Sequence, residues 1–405
     1  MMASNGGRGR SARAAFVILV LAGMSGAEAT PYIPATDSAV LERVSARSDL
    51  DRLEPLRRRL AGNRRDLPAA LELAQQFLRM GRTAGDPRFT AYAEAALLPW
   101  MGDKNIPEPV LVLQATALQN QHQFAPAMAL LERAVELNPL DPQVWLTRAT
   151  IFALHNEVGE ARRACARLTR TADALVAMTC LAGIDSRNGR LSASYNALRR
   201  VYVDDTRLPA ELRVWTLTQL ADMAERLGDD TAAQQYYRAA LRIAPEDSFC
   251  LAAYADLLIR EVRYGEVVEL LQGREAQDNL LLRLAVAGQR LGNVAGARWA
   301  AMYAARVQAA QRDGDTVHTR EQARFALDVQ HDAAQALTLA ARNWLQQREP
   351  ADVRIYWRAT RAAGSAAAEA SLREWFKATH YEDATLSAAT VAMTTPILQP
   401  LIVRR

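Results

Sequence analysis

Small side chains recur in pairs through the middle of this chain, and the two members of each pair stand twelve residues apart. The pairs are Ala115/Ala127, Ala149/Ala161, Ala182/Ser194, Ala221/Ala233, Ala255/Val267 and Ala285/Ala297. This spacing covers one helix, a tight turn and the first turn of a second helix, so small residues at both positions let two helix backbones approach closely. The first members of the pairs step by 34, 33, 39, 34 and 30 residues. A period near 34 made of helix–turn–helix units predicts an all-α, right-handed solenoid of stacked repeats.

Large apolar residues and a closing proline complete the pattern in two of the units. In the unit 108–141 the matching residues are Leu111, Ala115, Leu118, Phe124, Ala127, Leu131, Ala134 and Pro139. In the unit 214–247 they are Leu217, Leu220, Ala221, Gly228, Ala233, Tyr237, Ala240 and Pro245. The proline ends the second helix because it lacks an amide donor and clashes with the preceding turn. These units resemble the tetratricopeptide repeat family. The resemblance covers residues 67–350 and implies a repeat protein whose first helices line a concave groove.

The repeats and the segments that lack them divide the chain into five parts. We expect a signal peptide at 1–29, N-terminal capping helices at 30–66, repeats at 67–350, C-terminal capping helices at 351–385 and a tail at 386–405. Within the repeats the best units are 108–141, 142–175, 214–247, 248–277 and 278–311. Two prolines in the tail, Pro396 and Pro400, argue against a membrane-spanning helix there. The tail is either frayed or docked on the solenoid.

The first 29 residues have the three parts of a secretory signal peptide. Arg8, Arg10 and Arg13 precede an apolar run over residues 14–24, and a small-x-small cleavage site follows at residues 27–29. The run is shorter than the roughly 20 apolar residues that a membrane-spanning helix needs. We therefore expect an exported, periplasmic bacterial protein with no integral membrane segment after cleavage. Cleavage removes three arginines and one glutamate, so the net charge falls from +4 to +2 and gives no reason to expect nucleic acid as a partner.

No motif in the sequence promises a catalytic or cofactor site. The histidines are scattered and lack the spacing of a metal site; they are His122, His155, His318, His331 and His380. The chain has neither a glycine-rich phosphate loop nor a Gly-x-Ser-x-Gly elbow. We expect no cofactor, no metal and no enzymatic activity.

Three cysteines are present, and two of them are placed to meet. Cys165 lies on the second helix of one unit and Cys180 on the first helix of the next, with the connecting turn near Thr171 to Asp173 almost midway between them. Antiparallel helices would bring both to the same level. They are either two buried thiols or, in an oxidising compartment, a disulfide bridge. Cys250 would then be a buried, inert thiol.

The predicted groove contains a row of arginines near the ends of four successive first helices: Arg187, Arg226, Arg260 and Arg290. Such a row could bind the carboxylates of an extended acidic peptide. Alternatively it is a solvated edge, because Asp222 and Asp256 stand four residues before Arg226 and Arg260 and partly neutralise them. In that case the apolar groove residues Trp215 and Phe249 are the candidate binding surface.

These observations favour a protein–protein interaction scaffold in the bacterial cell envelope that binds a protein or peptide in its groove. A permanent subunit of an envelope assembly or export machine is the first alternative. An enzyme with a site in the groove is the second, and it would require a convergent polar cluster in an apolar pocket.

Overall fold

The computed structural model describes residues 48–312 and 319–386, and within these ranges it contains nineteen α-helices and no β-strand. The first ten are α1 (Ser48–Gly62), α2 (Leu67–Ala84), α3 (Arg88–Met101), α4 (Glu108–Asn120), α5 (Phe124–Leu137), α6 (Pro142–Leu154), α7 (Val158–Thr171), α8 (Ala174–Ser186), α9 (Leu191–Val201) and α10 (Ala210–Arg226). The others are α11 (Asp230–Ile243), α12 (Ser248–Arg260), α13 (Tyr264–Leu271), α14 (Asp278–Leu291), α15 (Val294–Arg312), α16 (Thr319–Asp328), α17 (Ala333–Trp344), α18 (Pro350–Ala362) and α19 (Ala366–Thr379).

Contacts between residues divide the chain into two units, Met1–Arg52 and Leu53–Arg405. The described part of the first unit is the beginning of α1. The second unit contains α2 to α19, and everything below concerns it. The expected signal peptide at 1–29 and most of the expected tail lie outside the described residues.

Aspartates begin many of the helices. Their side chains accept a hydrogen bond from an amide in the first turn, which satisfies one of the donors that a helix leaves unpaired. The helices α2, α6, α8, α11, α12 and α17 start in this way, at Asp66, Asp141, Asp173, Asp229, Asp247 and Asp332. Local sequence therefore sets where these helices begin.

Consecutive helices pack in pairs, from α2/α3 to α16/α17, and the small residues lie where the partners touch. Ala115, Ala127, Ala221 and Ala233 are all fully buried. The predicted all-α helical-repeat solenoid is confirmed. None of the described helices has both the length and the apolarity that a membrane span requires.

The seventh repeat, α14 and α15, departs from the predicted register. Ala285 is buried, but its expected partner Ala297 is exposed. The contact is made instead by Gly288 and Gly296, where a Cβ added to Gly296 would lie 2.2 Å from the carbonyl carbon of Gly288. Two glycines let the helix backbones touch, so α15 turns Gly296 inward and Ala297 outward.

Candidate functional site

The C-terminal helices of the same chain contact the first helices of the fourth to seventh repeats, which are α8, α10, α12 and α14. The Nη2 of Arg187 on the fourth repeat lies 3.9 Å from a carboxylate oxygen of Glu349, at the start of α18. Arg354 of α18 reaches Asp222 of the fifth repeat at 3.7 Å. The structure therefore places α18 against two of the predicted groove residues, Arg187 and Asp222.

Arg226 is the most deeply placed of the predicted groove residues, with 1% of its surface exposed. Its Nη1 donates to the hydroxyl of Ser186 and to a carboxylate oxygen of Asp222, each at 3.2 Å. Its Nε donates to the backbone carbonyl of Glu382 at 3.2 Å, and its guanidinium lies 5.0 Å from the ring centroid of Tyr381. Arg226 is thus neither a solvated edge residue nor an open binding group, because its own chain occupies its donors.

The segment that occupies Arg226 follows α19. Its residue Ala384 donates its amide to the Arg226 carbonyl at 2.9 Å. Its residue Asp383 has a fully buried side chain and accepts from the Nε of Arg354 at 3.0 Å. Burial opposes the ionisation of Asp383, but Arg354 and the hydroxyl of Thr385 together hold its pKa below the usual value. This acidic segment is therefore bound through both its backbone and its carboxylate.

Glu225 links this segment to the sixth repeat. It is buried, accepts from the Tyr237 hydroxyl at 2.7 Å, and lies 3.6 Å from Arg354 and 3.2 Å from Arg260. Burial raises the pKa of Glu225 even though both guanidinium groups oppose the shift. Arg260 also contacts both carboxylate oxygens of Asp230, at 2.8 and 2.7 Å. The predicted anion-binding Arg260 is therefore neutralised within the chain.

A second charged cluster joins the sixth and seventh repeats to α16 and α18. Asp256 accepts from Arg283 at 2.9 and 2.7 Å and also from Arg324. Burial opposes ionisation of Asp256, yet these two arginines lower its pKa to about 2. Asp328 of α16 pairs with Arg324 and with Arg358 of α18. These pairs hold the C-terminal helices in the groove.

Three of the predicted groove residues remain accessible to different degrees. Arg290 is exposed. Trp215 is half-buried and packs against two core clusters. Phe249 is 57% exposed, although both its neighbours in sequence are buried. Next to it, the hydroxyl of Ser248 donates to the Arg82 carbonyl at 3.3 Å, so the start of α12 meets the end of α2.

The residues that fill the groove were not identified from the sequence. Arg354, Tyr381 and Asp383 were assigned to C-terminal capping helices, and no spacing rule connects them to residues more than 120 positions earlier. The alternation of arginine and aspartate on the first helices could have suggested charge pairing, but not with which partner. Among the described residues, no group of three or more His, Cys, Asp or Glu could hold a metal ion.

Cys165 and Cys180 are joined by a disulfide, with their α-carbons 5.7 Å apart. The bridge links α7 to α8, the second helix of one repeat to the first helix of the next. Cys250 is a free, fully buried thiol in the described part of the chain, and burial raises its pKa far above the usual value. It therefore behaves as a small apolar side chain.

Comparison with known proteins identifies one repeat directly. Residues 216–247, in α10 and α11, match the family model described as Tetratricopeptide repeat. The solved structure of the human IFIT1 dimer with m7Gppp-AAAA is 13% identical, over 85% of this chain and 86% of that chain, with a TM-score of 0.36. The APC/C hetero-tetramer Cut9–Hcn1 is 13% identical over 85% and 87%, with a TM-score of 0.30. No curated protein matches the chain at a significant level. Repeats of the matched family generally mediate protein–protein interaction.

Proposed function

We propose that this chain is a non-enzymatic protein–protein interaction scaffold of the bacterial cell envelope, and that Phe249 anchors its partner. The repeat architecture supports the first part of the proposal. The exposure of Phe249 supports the second, because exposed aromatic side chains on rigid surfaces commonly contribute most of the binding energy at interfaces. The partner is a protein or peptide with an apolar residue that covers the Phe249 ring.

The position of Phe249 explains why it suits this role. It lies six residues before the small residue Ala255, as Trp215 lies six residues before Ala221, so both aromatic residues occupy the same position of a first helix. The backbone at Phe249 is held by Asp247, which caps α12. A preorganised aromatic side chain loses little entropy when a partner covers it.

Arg226 and Arg260 are already paired with groups of their own chain, which favours an apolar anchor at Phe249 over a site for an acidic peptide. A partner that used Arg226 or Arg260 would have to displace α18 and the buried segment after α19. A partner that uses Phe249 displaces no side chain of the described structure.

Export to the periplasm is part of the proposal and rests on the signal-like residues 1–29. The disulfide between Cys165 and Cys180 supports it, since disulfides persist in oxidising compartments. Fractionation of cells is the test. We expect the protein with periplasmic markers and a mature N-terminus at Thr30, whereas an intact Met1 in the cytosol would rule out export.

Site-specific photo-cross-linking tests the partner site. A photoreactive amino acid at position 249 should give a discrete cross-linked partner in cells, and the same probe at Leu345, which is 80% exposed, is the control. In purified protein, Phe249→Ala should weaken binding of the identified partner by about tenfold or more. Leu345→Ala should leave binding unchanged. Equal cross-linking at both positions, or unchanged affinity of Phe249→Ala, would show that Phe249 is not the anchor.

A further inference from the structure

A cavity of about 160 Å³ lies where α15, the second helix of the seventh repeat, faces α16 and α17. Its polar lining consists of five glutamines: Gln308, Gln311, Gln322, Gln330 and Gln335. Its apolar lining consists of Ala304, Val307, Phe325 and Leu339. We call these nine residues the glutamine pocket. The described residues that line it therefore offer several hydrogen-bonding amides and no formal charge.

Helical spacing brings the lining side chains to facing surfaces. On α15 they follow the spacing i, i+3, i+4, i+7 from Ala304, which is one face of a helix. On α16 and α17 they stand three and four residues apart, which is again one face. Tyr303 of α15 contacts Phe325 of α16, with 4.9 Å between the ring centroids, and both rings are buried in the hydrophobic core. The pocket is therefore built on packed helices.

None of the five glutamine side chains forms a hydrogen bond with another described residue. Four of them are exposed and form the rim of the pocket. Gln322 is different, because it is only 7% exposed and lies with Phe325 at the bottom. A buried amide without a partner opposes folding, so native proteins keep few of them. The Gln322 amide, buried and directed into a cavity, therefore indicates a group that is kept for a ligand.

We propose that the glutamine pocket binds one pyranose ring, the neutral unit of a monosaccharide or of a glycan. Each sugar hydroxyl both donates and accepts hydrogen bonds, and each glutamine amide offers two donors and an acceptor. The C–H faces of the sugar ring are apolar and suit contact with Val307, Phe325 and Leu339. The amides at the rim then meet the hydroxyls around the ring, and Gln322 meets the one that points to the bottom. This inference is independent of the proposed partner site at Phe249.

Size and charge favour a sugar over other ligands. A cavity of roughly 150 Å³ accommodates one six-membered ring. Phosphate and carboxylate ligands are usually held by arginine or lysine, and the described lining of the pocket contains neither. An extended peptide presents its amides along a line, at about 3.3 Å per residue, rather than around a single ring. Carboxamides do not exchange protons near neutral pH, so the pocket is suited to binding and not to acid–base catalysis.

Saturation-transfer NMR on the purified full chain tests the proposal. The probes are glucose, mannose, galactose and N-acetylglucosamine, each as the free sugar and as a linear trisaccharide. We expect at least one of them to bind with a dissociation constant on the order of 1 mM or below, as for a ligand of this size. Tighter binding of the trisaccharide would assign the site to a glycan, and equal binding would assign it to the free sugar. N-acetylglycinamide is the probe for a peptide amide. No transfer to any sugar, or transfer to N-acetylglycinamide alone, would overturn the proposal.

The variant Gln322→Leu locates the bound sugar in the pocket. It removes the amide at nearly constant volume and should weaken binding of the sugar by about tenfold. Since the amide has no partner among the described residues, thermal unfolding of this variant should show unchanged or higher stability.

The matched control is Gln235→Leu on the exposed face of α11, which should bind the sugar as wild type does. If Gln322→Leu does not fold, the exposed Gln308→Leu replaces it with the same expected loss of binding. Equal affinities in wild type and in the folded pocket variant, or equal losses in that variant and in Gln235→Leu, would show that the sugar binds elsewhere and would overturn the proposal.

Discussion

The Nε of Arg226 donates to the backbone carbonyl of Glu382 over 3.2 Å, although 156 residues separate the two in sequence. This contact joins a first helix of the repeat array to the segment after the last described helix. Because the Arg226 side chain is fully buried, its charge depends on partners supplied by its own chain. The part of the predicted groove around Arg226 is therefore within the folded core, and substitution of Arg226 acts first on stability.

Removal of the Arg226 guanidinium should destabilise the protein. Arg226→Met leaves the Ser186 carbonyl and hydroxyl and the Glu382 carbonyl without their donor, and we expect a loss of about 3 kcal/mol in the free energy of unfolding. Urea unfolding measures it. The control is Arg290→Met, since Arg290 is exposed in the same predicted row and its replacement should change stability by less than about 0.5 kcal/mol. Equal losses in the two variants would contradict the assigned burial.

The bridge between Cys165 and Cys180 should contribute to stability. It closes a loop of 15 residues, for which the chain-entropy account gives about 3 kcal/mol. Replacing both cysteines by alanine should lower the free energy of unfolding by about that amount. Peptide mass spectrometry without reduction should find the bridge, and a denatured, unreduced sample should contain one reactive thiol, Cys250. Three reactive thiols would exclude the bridge.

Tight packing at Ala233 should make this position intolerant of larger side chains. Ala233 has no exposed surface where α10 and α11 meet, so Ala233→Leu should cost about 1–3 kcal/mol through overpacking. Ala301→Leu is the matched control, because Ala301 lies on the exposed face of α15. Thermal unfolding of both variants measures the difference, and similar shifts would place Ala233 outside the helix interface.

Glu108 should make stability depend on pH. Partial burial, together with the charge and hydrogen bonding of Asp141, raises the pKa of Glu108 from 4.5 to about 7. The folded protein therefore holds this proton more tightly than the unfolded chain does. Its contribution to stability is complete below pH 4.5 and is lost as the pH rises to about 7. Glu108→Gln cannot lose the proton, so its stability relative to wild type should increase across this window and stay constant above it. If the free energies of unfolding of wild type and Glu108→Gln change in parallel with pH, the pKa of Glu108 is not raised.

The sequence by itself determined the repeat architecture because the forces involved act over short distances along the chain. Ala221 and Ala233 lie on two helices that a short turn joins. The twelve-residue spacing of the two alanines therefore indicates by itself that the helices pack together. Cys165 and Cys180 lie equally far from one turn, and the same local geometry brings them together. The seventh repeat shows the limit of such reasoning, since the glycines at 288 and 296 rotate α15 and turn Ala297 outward.

Only the tertiary structure decided what fills the groove. The predicted row placed Arg187, Arg226 and Arg260 on one surface, but the sequence does not indicate that Arg354 and Asp383 return to that surface. Those contacts depend on the summed curvature of several repeats, a quantity that no local spacing encodes. Burial then decides the role of each charge. An arginine in an open groove can bind a ligand, whereas an arginine covered by its own chain must pair within it, because an unpaired charge is too costly to bury.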